Sequence, residues 1–83
     1  MGQAVKTLGT KRHAALVGTL IYIREQMGLT QTDLAKRIGE YQSFVARLES
    51  GQRRVDVIEF LELAAVLQFD PCQILRRVQS VEE

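Results

Sequence analysis

The sequence predicts an all-α fold, a compact bundle of five helices. Three observations lead there. No segment of the 83 residues shows the apolar–polar alternation of a half-buried strand. Apolar residues instead recur at spacings of three and four. The periodic segments are separated by helix stops and starts: Gly28, Gly39, Gly51 and the pair Asp70-Pro71. At this length, with 46% hydrophobic residues, one modest core and one domain are expected.

Residues 1–10 hold two glycines and little periodicity, so they read as a flexible arm ahead of a domain over 11–83. Helix 1 follows over 11–27, with Leu16, Leu20, Ile23 and Met27 on one face and Gly28 as its stop. Thr30 stands where an N-cap belongs, and Asp33 lies three residues on, a short-armed version of the capping box. Helix 2 then runs to about Ile38, with Leu34, Ala35 and Ile38 as its apolar stripe. Gly39 breaks it. Helix 3 runs from about Tyr41 to Ser50, and Gly51 closes it. Asp56 caps helix 4 and Glu59 returns the bond. The expected buried stripe is Val57, Phe60, Leu61, Ala64 and Leu67, and Gln68 stands at the stop, where glycine is cheaper. Asp70 and Pro71 start helix 5, which buries Ile74, Leu75 and Val78 and frays at Glu82 and Glu83.

Helices 2 and 3, about residues 30–51, form a unit of their own. Ala35 is small, so a second helix can cross closely. Gly39 suits a turn that needs a positive φ. Two short helices set at a steep angle make a helix-turn-helix, which offers its second helix to the major groove of DNA. On a helical wheel, Tyr41, Phe44, Val45 and Leu48 fall on one arc of helix 3. Gln42, Ser43, Ala46, Arg47 and Ser50 fall on the other. Any surface helix is amphipathic, so the argument rests on the chemistry of the free arc. Glutamine can pair with adenine, arginine with guanine, serine with either, and an alanine methyl can touch thymine. Gln42, Ser43, Ala46 and Arg47 are therefore the candidate base readers. Phosphate contacts are expected from Thr30 and Gln31 at the start of helix 2, and from Arg53 and Arg54 after helix 3. Gln31 either meets a phosphate or braces Gln42 across the turn.

Charge is divided along the chain. The whole carries +1, but residues 1–54 hold nine Lys/Arg against four acids and residues 55–83 hold two against six. A positive half and a negative half fit one face turned toward an anionic polymer, and fit equally an uneven surface with no partner.

The stretches IREQMGLTQTDLAKRIG, QSFVARLESGQRR and DVIEFLELAAVL resemble the Cro and phage-repressor type of helix-turn-helix, the Xre-like family. The resemblance covers about Leu20 to Leu75, most of the chain. It implies a lambda-repressor-like DNA-binding domain and a small bacterial regulator of transcription. It implies Gln31 as a phosphate contact, Gln42, Ser43 and Arg47 as base readers, and Arg24 with Glu49 as an ion pair tying helix 1 to helix 3. An exposed pair of that kind contributes little, so its worth turns on burial. The chain departs from the pattern at Glu40, at Tyr41 where a capping serine or threonine is frequent, at Ala46 and at Val55. The Tyr41 hydroxyl is a further candidate for a phosphate.

Other chemistry finds little support. His13 is the single histidine and has no ligand or catalytic partner at fixed spacing. Cys72 is the single cysteine, so no internal disulfide forms, and a buried or half-buried thiol in a reducing cytoplasm is expected. No apolar run reaches the length of a membrane span, and no signal peptide is visible. The expectation is a non-enzyme with no metal and no cofactor. The leading reading is a repressor that binds double-stranded DNA as a homodimer on a palindromic operator, with Phe69, Ile74, Val78 and Val81 as the dimer surface. An antitoxin or restriction-control component, with a toxin or other regulator as partner, is an alternative within the same class. A helical protein-interaction module is an alternative from another.

Overall fold

The computed structural model describes residues 8–83. Among them are five α-helices and no strand: α1 (Lys11–Gln26), α2 (Gln31–Ile38), α3 (Gln42–Glu49), α4 (Val57–Leu67) and α5 (Pro71–Gln79). Most of the expected arm, residues 1–7, lies outside the described residues. Thr10 does not belong to an arm, because it caps α1.

Both ends of each helix show why it begins and stops where it does. The first four N–H groups of α1 are all satisfied. Thr10 Oγ1 accepts from His13 N at 3.0 Å and Thr10 O from Ala14 N at 3.0 Å. The two carboxylate oxygens of Glu83 accept from Lys11 N and Arg12 N, each at 3.0 Å. Glu83 was expected to fray, but it completes the cap of a helix 72 residues earlier. The Arg12 guanidinium answers it by donating to Val81 O and Gln79 O at 2.9 and 3.1 Å. The first turn of α1 and residues 79–83 are thus stitched together.

Reciprocal capping boxes start α2 (Thr30 with Asp33) and α4 (Asp56 with Glu59). The Asp33 carboxyl is held below its ordinary range by the bond it accepts from the Thr30 N–H and by the Thr30 side chain. Asp70 Oδ1 accepts from Cys72 N at 2.9 Å and Pro71 opens α5. At the other ends, α2 closes on Gly39 at φ 71°, and α4 closes on Gln68 at φ 59°. Gln68 is the single non-glycine described residue in the left-handed region. A Cβ is strained there.

The core draws on every helix: Leu20, Leu34, Ala35, Val45, Leu48, Phe60, Leu63, Leu67 and Ile74 form one buried cluster. The α4 stripe differs from expectation. Leu63 is buried, whereas Val57 and Leu61 are exposed. The segment VIEFLELAAVL is apolar on nearly all sides, so its periodicity does not choose a face; packing on α2 and α5 does. Leu75 of α5 is likewise exposed while Ile74 is buried. The residues expected to form a dimer surface are mostly spent here. Ile74 lies in the core, the Phe69 ring packs 5.4 Å from that of Phe60, and Val78 lies against the same cluster. Val81 is half-buried beside the Arg12 contact. Cys72 is exposed, not buried; it is Ile74, two residues on, that the first turn of α5 turns into the core.

Candidate nucleic-acid interface

The turn between α2 and α3 is built by Gly39. Its left-handed backbone lets Glu40 N donate back to Ala35 O at 2.8 Å, which seals α2 and sends the chain off at an angle. Ala35 is almost wholly buried, so α3 crosses α2 where no larger side chain fits. Val45 and Leu48 lock the inner face of α3 into the core. The outer face carries Gln42, Ser43 and Arg47, all exposed, with Ala46 half-exposed between them. Tyr41 departs from its place on the inner arc: it is 83% exposed. It is the N-cap of α3 and makes no capping bond through its side chain. Outside the helix its backbone is extended, so the wheel no longer governs where its ring goes.

Beneath this face runs a chain of side-chain hydrogen bonds. Arg24 is buried, and its Nε and Nη2 donate to the two carboxylate oxygens of Glu49 at 2.6 and 2.9 Å. Its remaining edge is also used, with Nη1 donating to Leu29 O at 2.6 Å. The bond to Glu49 raises the Arg24 pKa, so the guanidinium keeps its charge despite its burial. Glu49 Oε1 also accepts from Gln31 Nε2 at 2.9 Å, and Gln31 Oε1 accepts from Gln42 Nε2 at 2.8 Å. The direction of this relay is dictated by chemistry. A carboxylate only accepts, so the Gln31 amide must turn its NH2 to Glu49 and its oxygen to Gln42. Gln42 must then turn its own NH2 inward. Its Oε1 and its second N–H remain for the outside. Of the two expectations for Gln31, the brace across the turn is present.

Arg53 and Arg54 differ from each other. Arg53 donates Nη1 and Nη2 to the two oxygens of Glu59, each at 3.0 Å, and its guanidinium lies 4.3 Å above the Phe44 ring. That pairing raises the Arg53 pKa and lowers that of Glu59. Glu59 Oε1 also accepts from Asp56 N at 3.1 Å, so one carboxylate serves a helix cap and the loop at once. Arg54 is the more exposed of the two. The sequence had set the two arginines side by side as phosphate contacts. It gave no signal for Glu59 as a partner, because the two are six residues apart across a loop.

At the start of α2 the capping box uses the N–H groups of Thr30 and Asp33. Those of Gln31 and Thr32 belong to the first turn, where helices have no internal acceptor. The start of α2, the positive end of its helix dipole, is joined to the candidate reader Gln42 through Gln31. Among the described residues no cluster of His, Cys, Asp and Glu is suited to hold a metal ion. None of the described helices is long and apolar enough to cross a membrane.

Comparison with known proteins agrees with this geometry. Residues 20–74 match the helix-turn-helix family model. An XRE-family like protein from Pseudomonas syringae pv. tomato str. DC3000 is 39% identical, with a TM-score of 0.76 over 83% of this chain and 84% of that one. The restriction-modification controller protein C.AhdI from Aeromonas hydrophila is 34% identical, with a TM-score of 0.65 over 78% of this chain and 99% of that one. The clp gene regulator ClgR from Corynebacterium glutamicum shares the fold at 20% identity, with a TM-score of 0.74 over 84% and 74% of the two chains. No curated protein sequence gives a match. The chain belongs to the XRE-type helix-turn-helix family, whose members are DNA-binding regulators and not enzymes.

Proposed function

We propose that this protein is a transcriptional repressor that binds a palindromic operator as a homodimer, with α3 in the major groove. The observation that carries the reading is the Gln42 amide, exposed at its outer edge and held at its inner edge by Gln31. With Oε1 as acceptor and one N–H as donor, it matches N6 and N7 of adenine. Arg47 lies on the same face and suits guanine, while Ser43 and the Ala46 methyl fill the face between them. Thr30, Gln31, Tyr41, Arg53 and Arg54 are the proposed phosphate contacts. α3 has no side-chain cap of its own, so a phosphate beside Tyr41 meets free donors. Arg53 reaches a phosphate only by sharing a guanidinium already paired with Glu59.

One such module contacts few base pairs, and a second copy supplies the missing affinity. Because Ile74 and its neighbours serve the core, the dimer surface moves to α4. Val57, Ile58 and Leu61 stand at helical spacings that group them on one side, and they are 72%, 67% and 47% exposed. A two-fold axis through that patch places like against like. The similarity to C.AhdI, which extends over 99% of that chain, favours one second reading, control of a restriction–modification system.

Selection from a random duplex pool at two salt concentrations tests the function. The expected product is a palindrome with half-sites about 34 Å apart. Recovery of no sequence above the unselected pool overturns it. Sedimentation tests the dimer: wild type should associate and Ile58→Glu should remain monomeric with unchanged helix content.

A further inference from the structure

The relay beneath α3 does more than brace Gln42. A side-chain amide has a donor end and an acceptor end of nearly equal size, so packing alone does not choose between its two orientations. Two glutamines bonded only to each other can reverse together and keep their bond. Gln31 and Gln42 cannot, because their relay is anchored at Glu49.

Arg24 only donates, and it holds both Glu49 oxygens, at 2.6 and 2.9 Å. With 7% of its surface exposed, the Glu49 side chain is closed off from a groove that α3 enters. It presents oxygen alone to Gln31. Gln31 Nε2 donates to it at 2.9 Å, and Gln31 Oε1 accepts from Gln42 Nε2 at 2.8 Å. Turning either amide alone sets oxygen against oxygen. Turning both sets Gln31 Oε1 against Glu49 Oε1.

The consequence falls on the base that Gln42 meets, and so rests on the reading of α3 as the helix in the major groove. Toward that groove adenine shows an acceptor, N7, beside a donor, the N6 amino group. Guanine shows two acceptors, N7 and O6. An amide free to turn serves either base, since its NH2 can face O6 as well as N7. The anchored amide offers one N–H and one oxygen outward. With adenine it makes two bonds. With guanine it makes one, and Oε1 then faces O6, two acceptors with no proton between them. We propose that Glu49, acting through Gln31, fixes the polarity of the Gln42 amide and so makes the protein reject guanine at that position. Glu49 is a positioning residue that itself meets no base.

The test uses the operator recovered by selection, with adenine and guanine exchanged at the position where Gln42→Ala loses its preference. Wild type should prefer adenine about tenfold or more, the discrimination that a bidentate pair supplies. Glu49→Gln keeps the volume but donates as well as accepts, so both amides can reverse. Gln31→Met cuts the relay and leaves the Arg24–Glu49 pair in place. Both variants should bind the two bases to within about threefold, with preference at the Arg47 position unchanged. In the free protein, the Gln31 Nε2 protons should exchange with water more slowly than those of exposed Gln73. Equal binding of the two bases by wild type, adenine preference kept by either variant, equal loss at the Gln42 and Arg47 positions, or Gln31 exchange as fast as that of Gln73 would each overturn the proposal. If selection recovers no operator, the repressor reading itself fails. If an operator is recovered and Glu49→Gln reads it as wild type does, only the positioning role fails.

Discussion

Two arginine–glutamate pairs flank the reading helix, one beneath it and one after it. Both are bidentate, and they behave as different devices. In the first, Arg24 and Glu49 keep only 10% and 7% of their side-chain surface exposed, and each has further bonds, to Leu29 O and to Gln31. In the second, Arg53 and Glu59 keep 26% and 23%, and the arginine rests on an aromatic face. The same chemistry sets a position in one place and tethers a loop in the other. What separates them is how many other groups lose a partner when the pair breaks.

The largest effect should come from breaking the buried pair by half. Arg24→Ala strands the Glu49 carboxylate and should cost about 3–5 kcal/mol in denaturant unfolding. Replacing both, Arg24→Met with Glu49→Leu, should recover most of that stability, because apolar pairs of similar volume replace buried ions well. It should not recover reading. Gln31 then has no anchor and its amide can turn, so preference at the base read by Gln42 should relax. A double variant that is stable and fully selective would reduce the relay to packing.

Next is Arg47→Ala, which touches neither pair. It should leave the melting temperature unchanged, cost about 1–3 kcal/mol of DNA affinity and relax one position of the site. Binding isotherms on the selected operator and its single-base variants measure this.

The exposed pair comes third. Glu59→Gln keeps an acceptor for the α4 cap, which glutamine also serves, and removes the charge that Arg53 meets. A loss of about 1 kcal/mol is expected, smaller at high salt, whereas the buried pair should ignore salt. The sign with pH follows from the lowered Glu59 pKa. Its stabilisation is complete above the unfolded carboxylate value, roughly pH 4.3, and is lost as pH falls through the lower folded value. Stability of Glu59→Gln should therefore fall less steeply on the acid side.

The smallest effect is Gly18→Ala, in neither pair, which should raise stability by about 0.5–1 kcal/mol. It calibrates the others against a change with no lost partner.

The helix boundaries were legible because they are local. Thr30 with Asp33, Asp56 with Glu59, Gly39, and Asp70 with Pro71 each act within four residues, and the sequence displays them side by side. The free face of α3 was legible for the same reason, since Val45 and Leu48 fix its inner side. Three things were not legible. The α4 segment is too uniformly apolar to reveal that Leu63 points in while Val57 and Leu61 point out. The Arg53–Glu59 bond spans a loop, where no periodicity links the partners. Glu83 meets α1 across almost the whole chain. Each depends on where separate elements come to rest, which a single helix cannot announce.

That last contact bears on the order in which the molecule is made. Synthesis runs from the N-terminus, and domains begin to fold as they emerge. The two leading N–H groups of α1 find their acceptors only when residue 83 has been added, and Arg12 finds its carbonyls only with residues 79 and 81. A growing chain can therefore assemble α2, α3 and α4 while the start of α1 still faces water. Of the five described helices, the first to be synthesised is the last to have its end capped.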